Sequence, residues 1–137
     1  MITAVHTLIY SDDPAATRRF FRDVLELPWV SDAGSSDEGS DPSTEDSWLI
    51  FRTGPSELGV HPTDTAGDEG KVKAPRHHQM SLMVEDIEAA EATIRERGGV
   101  IESGPRDFGW GIGLEVAVPG TDSILIYQPR HATTYQG

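Results

Sequence analysis

The chain has 137 residues, enough for one compact domain or two small halves sharing a core. Eleven basic against 23 acidic residues give a formal charge of −12, a field that repels phosphate backbones and anionic lipid and so argues against nucleic acid or membrane surfaces as partners. With no cysteine, disulfides, thiolate metal sites and cysteine nucleophiles are excluded together.

No apolar run approaches the roughly 18 residues that span a bilayer. The opening "MITAVHTLIYSDD" has no basic leader and no small-residue cleavage site, so a cytoplasmic protein is expected. Residues 3–10, "TAVHTLIY", are β-branched and aromatic and predict a first strand. Asp12-Asp13-Pro14 then supplies an acidic N-cap and a proline at the first helical position. The helix that follows carries Phe20, Phe21, Val24 and Leu25 on one side and Arg18, Arg19 and Arg22 toward water, and Pro28 stops it. A short strand is expected at Trp29-Val30.

Residues 31–47, "SDAGSSDEGSDPSTEDS", hold acids but no base and no large apolar side chain, a composition that predicts a mobile loop. Strands resume at "SWLIFRTG" and "ELGVHP". The polar stretch "TDTAGDEGKVKAP" reads as a linker, placing a first module at 1–63, the linker at 64–76, a second module at 77–130 and a tail at 131–137. In the second module "QMSLMV" predicts a strand, Glu85-Asp86 a cap, and "IEAAEATIRER" a helix with Ile87, Ala90 and Ile94 inward. Gly98-Gly99 ends it. Strands "VIES", "IGLEVAVP" and "SILIYQP" follow, separated by the loop "GPRDFGWG" and the turn "GTD".

Shifting the first half by about 73 residues lays His6 on Gln79, Asp13 on Asp86, Phe21 on Ile94 and Arg22 on Arg95. The closing segments "GVHP" and "IYQP" also correspond, so the chain reads as a strand–helix–three-strand unit repeated once.

A tandem βαβββ repeat of this length resembles the vicinal oxygen chelate superfamily of glyoxalases, bleomycin-resistance proteins and extradiol dioxygenases. The likeness is carried by "HTLIYSDDPAATRRFFRDVLELP", "MSLMVEDIEAAEATIRERGGVI" and the closing "VPGTDSILIYQP". It implies an α+β fold in which the two modules form a half-open barrel around a cavity. It also implies that members which bind a divalent metal (Zn, Ni, Mn or Fe) take one ligand from the first strand and one, usually Glu, from the last strand of each half. Family members commonly pair, so a homodimer is expected.

Position by position, His6 matches the first ligand and Gln79 its counterpart. Strand alternation turns Gln79, Ser81 and Met83 toward the cavity and Met80, Leu82 and Val84 toward the helix, which leaves His77 and His78 outside the site. The last-strand ligand positions fall on Leu58 and Leu125, which cannot ligate. Glu57 is one residue away, within reach of a β-bulge or another register. An incomplete set of His6, Glu57 and Gln79 would leave a cation poorly compensated.

No cofactor is therefore expected under the leading reading, in which the cavity holds a small organic ligand, aromatic or amphipathic, lined by His6, Tyr10, Trp48, Arg52, Gln79, Met83, Trp110 and Tyr127. The glycine-flanked Trp110 in "DFGWGIG" suits a segment that covers such a ligand. One alternative is a metal-dependent lyase, isomerase or dioxygenase that uses His6, Glu57 and Gln79. Another is a dimerising accessory protein with a vestigial cavity. No catalytic residue set can be assembled from the sequence.

Overall fold

A computed structural model describes residues 4, 6–31, 48–67 and 70–135. The acidic loop expected at 31–47 lies outside the described residues except for Ser31.

Helix α1 (Pro14–Arg19) starts where the sequence dictates. The Asp13 side chain accepts the Ala16 N–H at 3.1 Å, and Ser11 Oγ accepts the Asp13 N–H at 3.0 Å. A π-helical turn, Phe20–Val24, continues it and buries both phenylalanines, whose rings meet edge to face at 5.4 Å. Strands β1 (Trp29–Ser31) and β2 (Leu49–Phe51) pair antiparallel. Strands β3 (Asp64–Gly67) and β4 (Gly70–Lys73) form a hairpin inside the stretch expected to be a linker.

The second half builds the expected unit: β5 (Ser81–Met83), α2 (Ile87–Glu96), β6 (Ile101–Asp107), β7 (Gly111–Val116) and β8 (Ile124–Pro129). They form a mixed four-stranded sheet in the order β5-β8-β7-β6, with β5 and β8 parallel and the other pairs antiparallel. Helix α2 is capped twice. Asp86 accepts the Glu88 and Ala89 N–H groups, and Gln128, reaching from β8, accepts the Ile87 N–H at 3.0 Å. Gly98, at φ 83°, ends the helix in the left-handed conformation that glycine adopts without strain.

One core serves both halves. Phe20 and Phe21 from the first meet Ile87 and Ile94 of α2 and Leu114, Val116, Ile124 and Ile126 of the sheet. Met80, Leu82 and Val84 pack against this cluster, so Met83 points to the opposite, open face of the sheet. A second tie between the halves is polar. Thr17, only 6% exposed, donates to the Pro119 carbonyl and shares a hydrogen bond with Ser11 Oγ at 2.7 Å, while Asp12 N–H donates to the Gly120 carbonyl at 2.8 Å.

The first half departs from its expected strands. Among the described residues, 6–10 pair with no strand, and neither do 57–62. Leu8 and Tyr10 are 54% and 88% exposed, and Leu58 and Val60 are both 95% exposed. Strand propensity describes how a side chain suits a pleated, half-buried surface; without a ladder neighbour there is no such surface to join.

Candidate functional site

Two neighbourhoods gather the residues singled out in the sequence. The first is a cleft of about 480 Å³ between the segment 6–11, helix α1 with its π-helical turn, and β2. His6, Tyr10 and Trp48 line it, together with Phe21, Phe51 and Met80. The Arg18 guanidinium lies 5.7 Å from the Trp48 ring centre, a cation–π contact at its rim. Every residue from His6 to Ser11 borders this cleft, so the alternation expected of a first strand does not hold there. With no pairing to impose a pleat, nothing assigns successive side chains to opposite faces.

The second neighbourhood is the open face of the four-stranded sheet. Even-numbered residues of β7 and β8 enter the core, so Gly111, Gly113, Glu115, Leu125 and Tyr127 occupy the other side. A Cβ at Gly113 would come within 2.8 Å of Leu125 Cδ1 and 3.1 Å of Phe108 Cε2, and one at Gly111 within 2.9 Å of the Tyr127 ring. The two glycines thus leave room for aromatic rings to lie directly on the sheet.

Those rings form a chain. Phe108 stacks on Trp110 with centroids 5.0 Å apart and planes 12° from parallel. Trp110 meets Tyr127 at 5.1 Å and 86°, and Tyr127 meets His131 at 5.8 Å. Arg106 lies over Phe108 at 5.1 Å. At the other end the His131 Nδ1–H donates to the Ala132 carbonyl, which leaves Nε2 to accept the Tyr127 hydroxyl at 3.0 Å.

Charge sharpens this arrangement. Burial, then the Glu57 carboxylate and Tyr135 nearby, push the Tyr127 hydroxyl above its ordinary 10.0. Glu57 Oε2 also accepts the Thr134 N–H at 2.6 Å. At the loop beside Trp110, the Gly109 N–H and then Arg130, 2.7 Å away, hold the Asp107 carboxyl below its ordinary 3.8.

The expected ligand residues are therefore divided. His6, Tyr10 and Trp48 belong to the cleft, whereas Met83, Trp110 and Tyr127 belong to the open face. Arg52 is exposed and outside the lining of the cleft, its backbone N–H donating to the Pro28 carbonyl at 2.8 Å. Gln79 is exposed as well and also lies outside that lining. Phe108, His131 and Tyr135 joined the open face without being foreseen. Phe108 stands two residues before Trp110 in "DFGWG", which was a usable signal; the other two contacts are long-range or follow the last strand.

A divalent cation of the kind the family implies would draw on His6, Glu57 and Gln79. His6 borders the cleft, Gln79 and Glu57 are outside its lining, and Glu57 bonds the backbone after β8. Among the described residues no group of three or more His, Asp or Glu is placed to hold a metal ion. These donors do not fit such an ion. Among the described residues, no helix is long and apolar enough to cross a membrane.

Residues 3–119 match the sequence model of the Glyoxalase/Bleomycin resistance protein/Dioxygenase superfamily. No curated protein matches the sequence. Solved structures of similar fold include two that span nearly the whole chain. One is TnmS3, an antibiotic binding protein from Streptomyces sp. CB03234, at 18% identity and TM-score 0.53 over 94% of this chain and 98% of that one. The other is a member of the Glyoxalase/bleomycin resistance protein/dioxygenase superfamily from Sphaerobacter thermophilus DSM 20745, at 19% identity and TM-score 0.53 over 93% and 98%. The match over residues 3–119, together with the βαβββ unit of the second half, means that the chain belongs to the glyoxalase/bleomycin resistance protein/dioxygenase superfamily.

Proposed function

We propose that this protein binds a small, flat organic molecule non-covalently on the open face of its second-half sheet, without a metal. The observation that carries this reading is the ring chain Phe108–Trp110–Tyr127, set on two glycines and outside the hydrophobic core cluster. Ordinary packing would bury these rings among the core residues. Trp110 instead remains 44% exposed, on a face where stacking and one or two polar groups are what a planar ligand requires. The antibiotic-binding protein of similar fold supports an organic ligand of this general kind.

The same reading places the protein in the cytoplasm and pairs it with a second copy. The exposed apolar segments at Leu8 and Tyr10 and at Leu58 and Val60 support that pairing, because unpaired strand-like backbone is satisfied by another chain. Sedimentation velocity would read the pair directly, and a strict monomer at high concentration would remove it.

Binding is tested by titrating a panel of planar heteroaromatic compounds, antibiotics included, while following tryptophan fluorescence and thermal unfolding. A compound present at about 100 times its Kd is expected to stabilise the fold by about 2.7 kcal/mol. Trp110→Ala should weaken it at least about ten-fold, the loss expected when a stacking ring worth about 1.4 kcal/mol is removed. Dialysis against a chelator should leave the affinity unchanged; a chelator-sensitive ligand would overturn the metal-free reading.

A further inference from the structure

The segment that follows β8 does not leave the sheet. Its root is held by the Trp110 carbonyl, which accepts the Arg130 N–H at 2.8 Å and the His131 N–H at 3.2 Å. From there it folds back along the open face through three side-chain contacts. His131 accepts the Tyr127 hydroxyl, Thr134 N–H donates to Glu57 at 2.6 Å, and the Tyr135 hydroxyl donates to Met83 Sδ at 3.7 Å. Met83 and Tyr127 are register neighbours on β5 and β8, so Tyr135 reaches the ground beside the ring chain. We infer that residues 131–135 are an internal occupant of the ligand face, and that the ligand is a neutral or cationic aromatic molecule carrying an N–H or O–H donor, which displaces them and takes over their contacts. This inference rests on the binding reading above and names its ligand class.

Two observations support displacement rather than permanent packing. None of residues 131–135 belongs to the core cluster, and Tyr135 remains 38% exposed with a thioether, a weak acceptor, as the partner of its hydroxyl. The bond between Glu57 and Thr134 is the strong one, because its acceptor is ionised. It also defines what may replace it. A donor satisfies Glu57, whereas a ligand carboxylate at that point would meet like charge on a protein that already carries −12. The segment therefore displays the chemistry of its competitor, an aromatic ring at Met83 and a donor at Glu57.

The test uses the full chain and two variants that release the segment. Thr134→Pro removes the N–H that Glu57 accepts, and Tyr135→Ala removes the ring. The probes are N-acetyl-tyrosinamide, which is neutral and rich in donors, and N-acetyl-tyrosine, which differs by its carboxylate; binding is read by calorimetry. If the segment covers the face in about four-fifths of molecules, both variants should bind the amide about five-fold more tightly than the parent does. Each variant should also prefer the amide over the carboxylate. Should proline disturb the fold, seen as a lowered Tm, Tyr135→Ala decides alone, since it leaves the backbone intact.

Equal or weaker amide binding by Tyr135→Ala overturns the inference while leaving the binding reading standing, provided the parent still binds and Trp110→Ala does not. Absence of amide binding by the parent and both variants overturns the inference, and failure of the heteroaromatic panel as well removes the binding reading with it.

Discussion

Met83 and Tyr127 stand side by side in parallel register, one on the first strand of the second half and the other on its last, both on the sheet face turned away from the helices. Their flanking residues, Leu82 and Ile126, are likewise paired but point into the core, so one register fixes the hydrophobic interior and the ring-bearing face together. A slip of one residue in β5 would exchange the two.

The interior half of that arrangement carries most of the stability. Leu114 is fully buried, in a cluster drawn from the π-helical turn, α2 and the sheet. Leu114→Ala is expected to cost about 3–4 kcal/mol, transfer and cavity terms combined, as measured by urea unfolding. A loss below about 1 kcal/mol would mean that the site collapses freely and that the core is not shared as described.

Thr17 tests the polar tie between the halves. Its hydroxyl serves Ser11 and the Pro119 carbonyl, 102 residues away. Thr17→Val keeps the shape and removes the hydroxyl, so a loss of about 1–3 kcal/mol is expected from the stranded partners. Thr17→Ser should restore most of it. A valine variant as stable as the parent, with the serine variant weakened, would show that the methyl group, not the hydroxyl, is what matters.

Gly113 tests the floor beneath the rings. Alanine there would drive its Cβ against Leu125 and Phe108, at 2.8 and 3.1 Å. Overpacking of this kind typically costs about 1–3 kcal/mol. The near-ultraviolet dichroism of the Phe108–Trp110 stack should fall at the same time. An unchanged aromatic spectrum would place Phe108 elsewhere.

Alkaline titration reports on Tyr127. Its folded pKa lies above 10.0, so the folded state holds this proton more tightly than the unfolded chain does. The resulting stability is fully present below pH 10 and is lost as the pH rises through the folded value. Tyr127→Phe should flatten this alkaline decline while costing about 1 kcal/mol at neutral pH through the lost bond to His131. Parallel stability curves for the two proteins above pH 10 would contradict the assignment.

Asp107 gives the acidic counterpart. Its carboxyl is held below 3.8 by the Gly109 N–H and by Arg130, so its contribution is present above that value and lost as the pH falls through the lower folded one. Asp107→Asn should show a shallower loss of stability below pH 4 than the parent. An identical acid profile would mean that the Asp107–Arg130 pair is too solvated to count.

The second half was readable because its signals agree. The apolar run in "ILIYQP", the helical spacing of Ile87 and Ile94, the Asp86 cap and the glycine stop all point to one arrangement. Elsewhere the signals were incomplete. Residues 6–10 and 57–62 have strand-like composition, but composition names no partner. The β3–β4 hairpin is polar on both faces, so no apolar alternation announced it. At the site, Trp110 and Tyr127 were foreseen as wall residues, whereas His131 and Tyr135 both lay in the expected tail. Their contacts with Tyr127 and Met83 depend on a chain reversal after Pro129 that no local motif encodes.

Gln128 follows Tyr127 on β8, its side chain on the opposite side of the sheet, where it holds the first amide of α2. A displacement of β8 would therefore be felt at the start of that helix. Hydrogen exchange at the Ile87 amide thus gauges how firmly β8 is seated against α2, on the side of the sheet opposite Tyr127.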